Sequence, residues 1–327
     1  MPTSTVYKVS NTSLAGGPKA DDDGCRTDPG SVADMNRFAP GAPPIPCQPW
    51  DTGAGVTGYV WHAPEPRAVL LLQHGFGEYA QRFVGRYSRL IPHLLNAGVG
   101  VYAFDMRGHG RSPGRRAVTD LVQAVGHHLA ARRKLRAQPL PVFALGHSLG
   151  GLVTAASVAR DQSGVSGVVL SSPFLRKEVP AWKRLVVNVL AAVGPTLPAP
   201  EAPAELGGLS RVADELELVK NDPLIYRGRA PMLLAATALN LLRDTPRLYP
   251  EWRVPTLLLH GTADTYTDPN GSRELFNAIA SQDKTLHIVE GGYHELLNDT
   301  ERDETLRVLL TWLARRLPPR RESATAL

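Results

Sequence analysis

Residues 141–160 restrict the fold more than any other stretch of this 327-residue chain. The segment is apolar up to Leu145, passes through Gly146-His147-Ser148-Leu149-Gly150-Gly151, and continues to Arg160 with no further Pro or Gly. That order predicts a buried strand, a sharp turn and a helix. Backbone must pass close to so tight a turn, so Gly146 and Gly150 stand where a Cβ would collide, and the Ser148 hydroxyl is held out at the carboxyl end of the strand. The first helical amide, Leu149 N–H, points to the same place and can donate to a developing oxyanion. A glycine-rich turn with a bystander serine would look alike, so the reading depends on partners elsewhere.

The flanking chain supplies the frame. Alternation over residues 56–62 predicts a strand, and the continuous apolar runs 68–73, 98–104, 165–170 and 254–259 predict strands covered on both faces, with 285–289 the last. Helices are expected over 82–96, with Pro92 a candidate kink, from the cap Asp120 to about Ala137, and over 303–317. Strands alternating with helices predict a mostly parallel, doubly wound sheet. Residues 50–318 are taken as this domain, and 319–327 as a C-terminal tail. Residues 1–49 differ: Asp21-Asp22-Asp23, scattered glycines and five prolines from Pro40 to Pro49 leave too little apolar surface to offset ordering entropy. A flexible or loosely draped arm is expected there, with pairing of residues 6–9 as an edge strand the alternative.

The partners of Ser148 are sought at strand ends, where a parallel sheet places its ligands. The loop after the 254–259 strand holds Asp264 and Asp268, and a carboxylate there can accept from an imidazole N–H and stabilise the imidazolium that forms. Asp264 is chosen, with Asp268 the alternative. After the last strand comes Gly291-Gly292-Tyr293-His294, and His294 is assigned as the general base. His147, expected to face away from Ser148 in the elbow, His260 and His74 are passed over, and His109 is read as scaffold. After the 68–73 strand, His74-Gly75-Phe76-Gly77-Glu78-Tyr79 lets the backbone curl over the site, so Phe76 N–H joins Leu149 N–H as the second oxyanion donor.

Composition narrows the partners. A hydrophobic content of 43% and a charged content of 20% suit a folded soluble enzyme. The net charge of +5, with no aromatic-interleaved basic patch, makes nucleic acid an unexpected partner. No apolar run approaches ~18 residues and no basic start precedes an apolar stretch at the amino terminus, so neither a span nor a secretory signal is expected, and the cytoplasm is the expected location. Cys25 and Cys47 are expected as free thiols, pairing only in an oxidising compartment.

Taken together, His74-Gly75-Phe76-Gly77-Glu78, the loop 105–112, the Gly146–Gly151 elbow, Asn221-Asp222-Pro223-Leu224 and Tyr293-His294-Glu295 resemble the monoacylglycerol lipase and lysophospholipase family of α/β-hydrolases, over roughly residues 56–317. The resemblance implies the α/β-hydrolase fold and a Ser-Asp-His hydrolase acting on esters of single-chain lipids, without metal or cofactor, and it supports Asp264 over Asp268. Tyr79 stands where the family often has His. Leu149 replaces a frequent Met, which is harmless because only the backbone N–H is used. Residues 174–250 are expected to form a helical lid, with apolar helices over 182–193 and 231–242 whose surplus apolar faces would line an acyl channel and rest on lipid as a peripheral membrane contact. Glu78, Tyr79 and Trp182 are the candidate substrate contacts. A peptidase, amidase or general carboxylesterase of the same fold is the alternative, the peptidase needing a lid carboxylate such as Glu201, Glu205, Asp214 or Glu215 to hold an amine. A ligand-binding receptor that keeps the pocket is the non-enzymatic one.

Overall fold

The computed structural model describes residues 45–201 and 205–320, and the backbone of residues 5–9. Among the described residues nine strands form one sheet: β1 (Thr5–Val9), β2 (Gln48–Asp51), β3 (Thr57–Trp61), β4 (Ala68–Gln73), β5 (Val99–Phe104), β6 (Val142–His147), β7 (Val165–Ser171), β8 (Thr256–Gly261) and β9 (Lys284–Val289), in the spatial order β1-β9-β8-β7-β6-β4-β5-β3-β2. The strands from β5 across to β9 are parallel, and β1, β2 and β3 add on antiparallel at the two edges. At the two described ends of residues 1–49 the chain is paired, Thr5–Val9 with β9 as the edge-strand alternative has it and Gln48 and Pro49 in β2, while the draped-arm expectation for residues 10–44 lies outside the described residues. The reason is local, since the backbone of an outer strand can supply pairing that composition alone does not reveal. A Cys25–Cys47 pairing lies outside the described residues.

Both faces of the sheet are covered, which explains why β4, β5, β6 and β8 read as unbroken apolar runs. On β4, Val69 and Leu71 enter the core on one face while Ala68, Leu70 and Leu72 enter the core on the other. Besides a single helical turn at Arg82–Gly85, the α-helices among the described residues are α1 (Leu90–Asn96), α2 (Leu121–Arg136), α3 (Leu149–Arg160), α4 (Ala181–Val193), α5 (Ala213–Asn221), α6 (Met232–Asp244), α7 (Pro269–Ala278) and α8 (Arg302–Ala314). Helix α2 starts where its cap predicts, with the Asp120 carboxylate accepting from Val122 and Gln123 N–H. The helix expected over 82–96 is broken, although not at Pro92, which sits in the first turn of α1 where a missing N–H costs no bond. The break is at Tyr87, Ser88 and Arg89, whose φ values of 55°, 51° and 53° are left-handed. Tyr87 N–H bonds Asn298 Oδ1 and Ser88 Oγ donates to Leu297 O, so distant chain holds this bend.

From β4 the chain goes to β5 on one side and returns to β6 on the other, so the carboxyl ends of β4 and β6 border the crevice of a doubly wound sheet. Helices α4, α5 and α6 occur between β7 and β8 and lie within the predicted lid range. Ala191 of α4 is buried together with Ala199, Met232 and Ala236, whereas its other face is bare: Trp182 is 64%, Leu185 66% and Val193 83% exposed.

Candidate active site

Ser148 lies between β6 and α3 with φ 54° and ψ −121°, a conformation that costs a non-glycine residue about 1–3 kcal/mol. The residues two before and two after it must be glycine. A Cβ on Gly146 would lie 2.5 Å from Gly150 O, and one on Gly150 only 2.3 Å from His74 O. The elbow is held by Ser148 N–H donating to Ser171 O at 3.0 Å, and by Ser148 O accepting from Gly151 and Phe174 N–H.

His294, in the loop after β9, brings Nε2 to 2.9 Å from Ser148 Oγ and Nδ1 to 2.8 Å from Asp264 Oδ2. All three positions chosen from sequence therefore meet in one line. The Asp264 carboxylate is saturated, Oδ1 accepting from Tyr266 and Thr267 N–H at 2.8 and 2.9 Å and Oδ2 from Thr267 Oγ1 at 2.7 Å. Burial alone would raise its pKa, but His294 and His260 hold it far below the carboxylate range. Burial would likewise push the His294 pKa down, and the Asp264 charge and hydrogen bond outweigh it, so the net shift is upward. Asp268, the alternative, instead caps α7 and pairs with Arg176.

Behind the line sits a residue that sequence reasoning passed over. His260 is fully buried, with Nδ1 2.7 Å from Ser272 Oγ and Nε2 3.3 Å from Asp264 Oδ2. Its place four residues before Asp264, at the end of one strand, was the available signal. Tyr266 stacks on His294 at 4.8 Å and 14°. The expectation for His147 is corrected: it does not face away but lines the cavity beside His294, ring centroids 5.0 Å apart, because the strained turn at Ser148 lets the last strand side chain face the same crevice.

The loop after β4 crosses Ser148 closely, since a Cβ built on Gly75 would lie 3.0 Å from Ser148 Cβ. His74 fixes its direction. Nε2 accepts from Met106 N–H at 2.9 Å, so Nδ1 carries the proton and donates to Gly75 O at 2.8 Å. Gly75 O and Phe76 N–H belong to one planar peptide, and holding the first aims the second. Among the described residues neither Phe76 N–H nor Leu149 N–H has a hydrogen-bond acceptor.

The three substrate candidates separate. Glu78 borders the cavity, but its carboxylate is committed: Oε1 accepts from Gly75 N–H at 2.6 Å, and Oε2 lies 2.8 Å from both Arg82 Nη1 and Tyr87 Oη. Arg82 also pairs with Glu295 Oε1 at 3.1 Å, completing a buried group that sequence reasoning missed. Tyr79 donates to Asp222 Oδ2 at 2.8 Å and lines a separate groove, because this hydrogen bond draws its ring from the crevice. Trp182 is on the bare face of α4 and does not border the cavity.

The cavity holds about 420 Å³. Ser148, His147 and His294 border it, and lid residues Leu206, Leu209, Val219, Ile225, Ala230 and Ala235 contribute apolar wall. Part of that wall is tied to the histidine loop, since Glu295 N–H donates to Leu209 O at 2.8 Å and Arg211 forks onto Asp299. Among the described residues no group of three or more His, Cys, Asp or Glu side chains is arranged to hold a metal ion.

Known proteins match this architecture. Residues 64–301 fit the family described as serine aminopeptidase, S33. The monoglyceride lipase of Homo sapiens is 36% identical over 238 residues, 71% of this chain and 76% of that protein. The chain belongs to the monoacylglycerol lipase family of α/β-hydrolases. A monoacylglycerol lipase of Mycolicibacterium smegmatis is 33% identical over 263 residues, covering 77% of this chain and 90% of that relative. The crystal structure of Paleococcus ferrophilus monoacylglycerol lipase superposes with a TM-score of 0.72 at 33% identity, over 80% of this chain and 99% of that one. The α/β-hydrolase fold expected from the motifs is thus the fold of the family and of this chain.

Proposed function

We propose that this member of the family hydrolyses carboxylic esters of single-chain lipids, monoacylglycerols or lysophospholipids, through an acyl-enzyme on Ser148. The observation that carries the reading is the hydrogen-bonded line Ser148–His294–Asp264 beside an apolar cavity. Ser148 Oγ attacks the ester carbonyl while His294 Nε2 takes its proton, and the Phe76 and Leu149 amides receive the oxyanion. Collapse breaks the bond to the alcohol, which leaves with the proton from His294. Water then attacks the acyl-enzyme, giving its proton to His294, and the fatty acid departs as Ser148 recovers its own.

An ester suits the cavity better than a peptide with a free amine. Glu78 and Glu295 are both bound to Arg82, and Glu201 pairs with Lys177 at 2.6 Å, so each carboxylate of the lining already has a cationic partner. The bare face of α4 supports a peripheral lid contact with a lipid surface. No helix of the described residues is long and apolar enough to cross a membrane. The test is Ser148→Ala, which should abolish both ester turnover and covalent fluorophosphonate labelling. Labelling that persists in this variant would overturn the assignment.

A further inference from the structure

Tyr266, two residues after Asp264, lies half-buried in the cavity wall. Two hydrogen bonds and one close approach fix its ring. Its N–H donates to Asp264 Oδ1 at 2.8 Å and its Oη donates to Glu205 O at 2.8 Å, while Gly208 leaves it room, since a Cβ there would lie 3.0 Å from Tyr266 Cε2. Burial pushes the phenol pKa up, so the hydroxyl stays protonated and remains a donor. The ring is thereby laid flat on His294, with centroids 4.8 Å apart and planes 14° from parallel.

His294 changes charge as it works. It is neutral before it takes a proton and an imidazolium until it hands that proton on, once in forming the acyl-enzyme and once in cleaving it. The groups facing it come from several elements: Asp264 from the loop after β8, His147 from the end of β6, Glu78 from the loop after β4, and the adjacent Glu295. Arg82 lies between the two glutamates, and His260 stands behind Asp264. Burial keeps His147 neutral by pushing its pKa down to about 4. Asp264 answers the positive charge at the edge of the His294 ring, through Nδ1, and Tyr266 meets the face. An aromatic face is the negative end of the ring quadrupole and attracts a cation within ~6 Å of its centroid.

We infer that Tyr266 is a positioning residue for this reaction, whose π face stabilises the His294 imidazolium in both proton transfers. The inference rests on the ester-hydrolase reading and deepens it. Because the ring holds the charged imidazole more tightly than the neutral one, its effect falls on the transition states rather than on the resting enzyme.

The test compares Tyr266→Phe, which keeps the ring and loses the bond to Glu205, with Tyr266→Leu, which fills much of the space without a π face. The readout is the acid midpoint of kcat/KM for a short water-soluble ester, which reports His294 in the free full-length enzyme. A cation over a half-buried ring moves such a midpoint by about 0.7 pH unit, roughly fivefold in the protonation equilibrium. The Leu variant should therefore show a midpoint lower by about that amount and a plateau kcat down about fivefold with KM little changed, while the Phe variant matches the wild-type midpoint. A midpoint does not depend on how much protein is active, so partial misfolding leaves it in place, and a merely structural ring would lower the rate at every pH alike. Losing the ring also admits water, which by itself would raise the midpoint. An unchanged or raised midpoint in the Leu variant, or an equal fall in the Phe variant, overturns the inference. The rate of fluorophosphonate labelling of Ser148, followed against pH in the same proteins, reads the same ionisation without ester turnover. Wild-type protein that labels but cleaves no ester would overturn the ester-hydrolase reading alone, and the labelling midpoints would then decide the role of Tyr266.

Discussion

Arg82→Met should destabilise the protein in a way that depends on pH. Arg82 is almost completely buried between two carboxylates, 2.8 Å from Glu78 Oε2 and 3.1 Å from Glu295 Oε1. At 2.8 Å and an effective dielectric of 20 a unit pair attracts by about 6 kcal/mol, and desolvation of several kcal/mol per ion offsets much of that. Removing the cation loses the attraction and keeps the desolvation of two anions, so the expected cost is ~3–5 kcal/mol. Each kcal/mol moves Tm by about 2–4 °C in a domain of this size class, giving a fall of roughly 6–20 °C near neutral pH. In the wild type, burial would raise the Glu295 pKa but Arg82 outweighs it and holds it at about 2, so this group stabilises the fold above its unfolded value of about 4.3 and the benefit is lost as pH falls toward 2. Without Arg82 burial dominates, the folded pKa rises above the unfolded one, and the penalty fades as pH drops through it. Scanning calorimetry should therefore show the gap between wild type and variant narrowing from about pH 7.5 to about pH 5. A gap that is constant or widens, or a shift under ~2 °C at pH 7.5, refutes the argument.

Asp264→Asn presents an amide where His294 Nδ1–H needs an acceptor, and kcat should fall by roughly 10⁴-fold through the wrong tautomer; a loss under tenfold would count against its role. In the wild type the upward shift of His294 places the acid limb of kcat/KM above the ordinary 6.5, so activity declines as pH drops through that midpoint, and a midpoint below 6.5 would contradict it. Leu185→Glu together with Val189→Glu puts two charges on the bare face of α4 and should weaken adsorption to lipid films while sparing hydrolysis of a short water-soluble ester. Unchanged adsorption would reject the membrane contact.

The parts of the site that were legible share a local signature. Ser148, Asp264 and His294 each come soon after a strand, continuously apolar in the first two cases, and the glycines near Ser148 and His294 announce tight backbone. What stayed hidden is held by contacts between segments far apart in sequence. Arg82 and Glu295 are 213 residues apart, and nothing periodic in either segment marks them as partners. The left-handed bend at Tyr87 to Arg89 has the same origin, since Asn298 and Leu297 hold it. Tyr79 misled because its loop does approach Ser148 while its hydroxyl goes to Asp222 on the lid side. His147 was misjudged on the geometry of the elbow, because a residue directly before a φ of 54° need not face away from the one that follows.

The cap over the crevice has one fastened side. Leu209 carries the amide of Glu295, and Arg211 grips Asp299 a few residues beyond His294, so this stretch could not lift without dragging the imidazole off Ser148. The α4 side is braced within the cap, with Ala191 packed beside Met232 and Ala236 of α6, Asn240 Nδ2 donating to Asn188 Oδ1 at 2.8 Å, and Met232 and Leu233 N–H donating to Leu197 and Pro195 O. With its helices tied to each other and one side tied to the histidine loop, the cap transmits any displacement to the alignment of the reacting atoms.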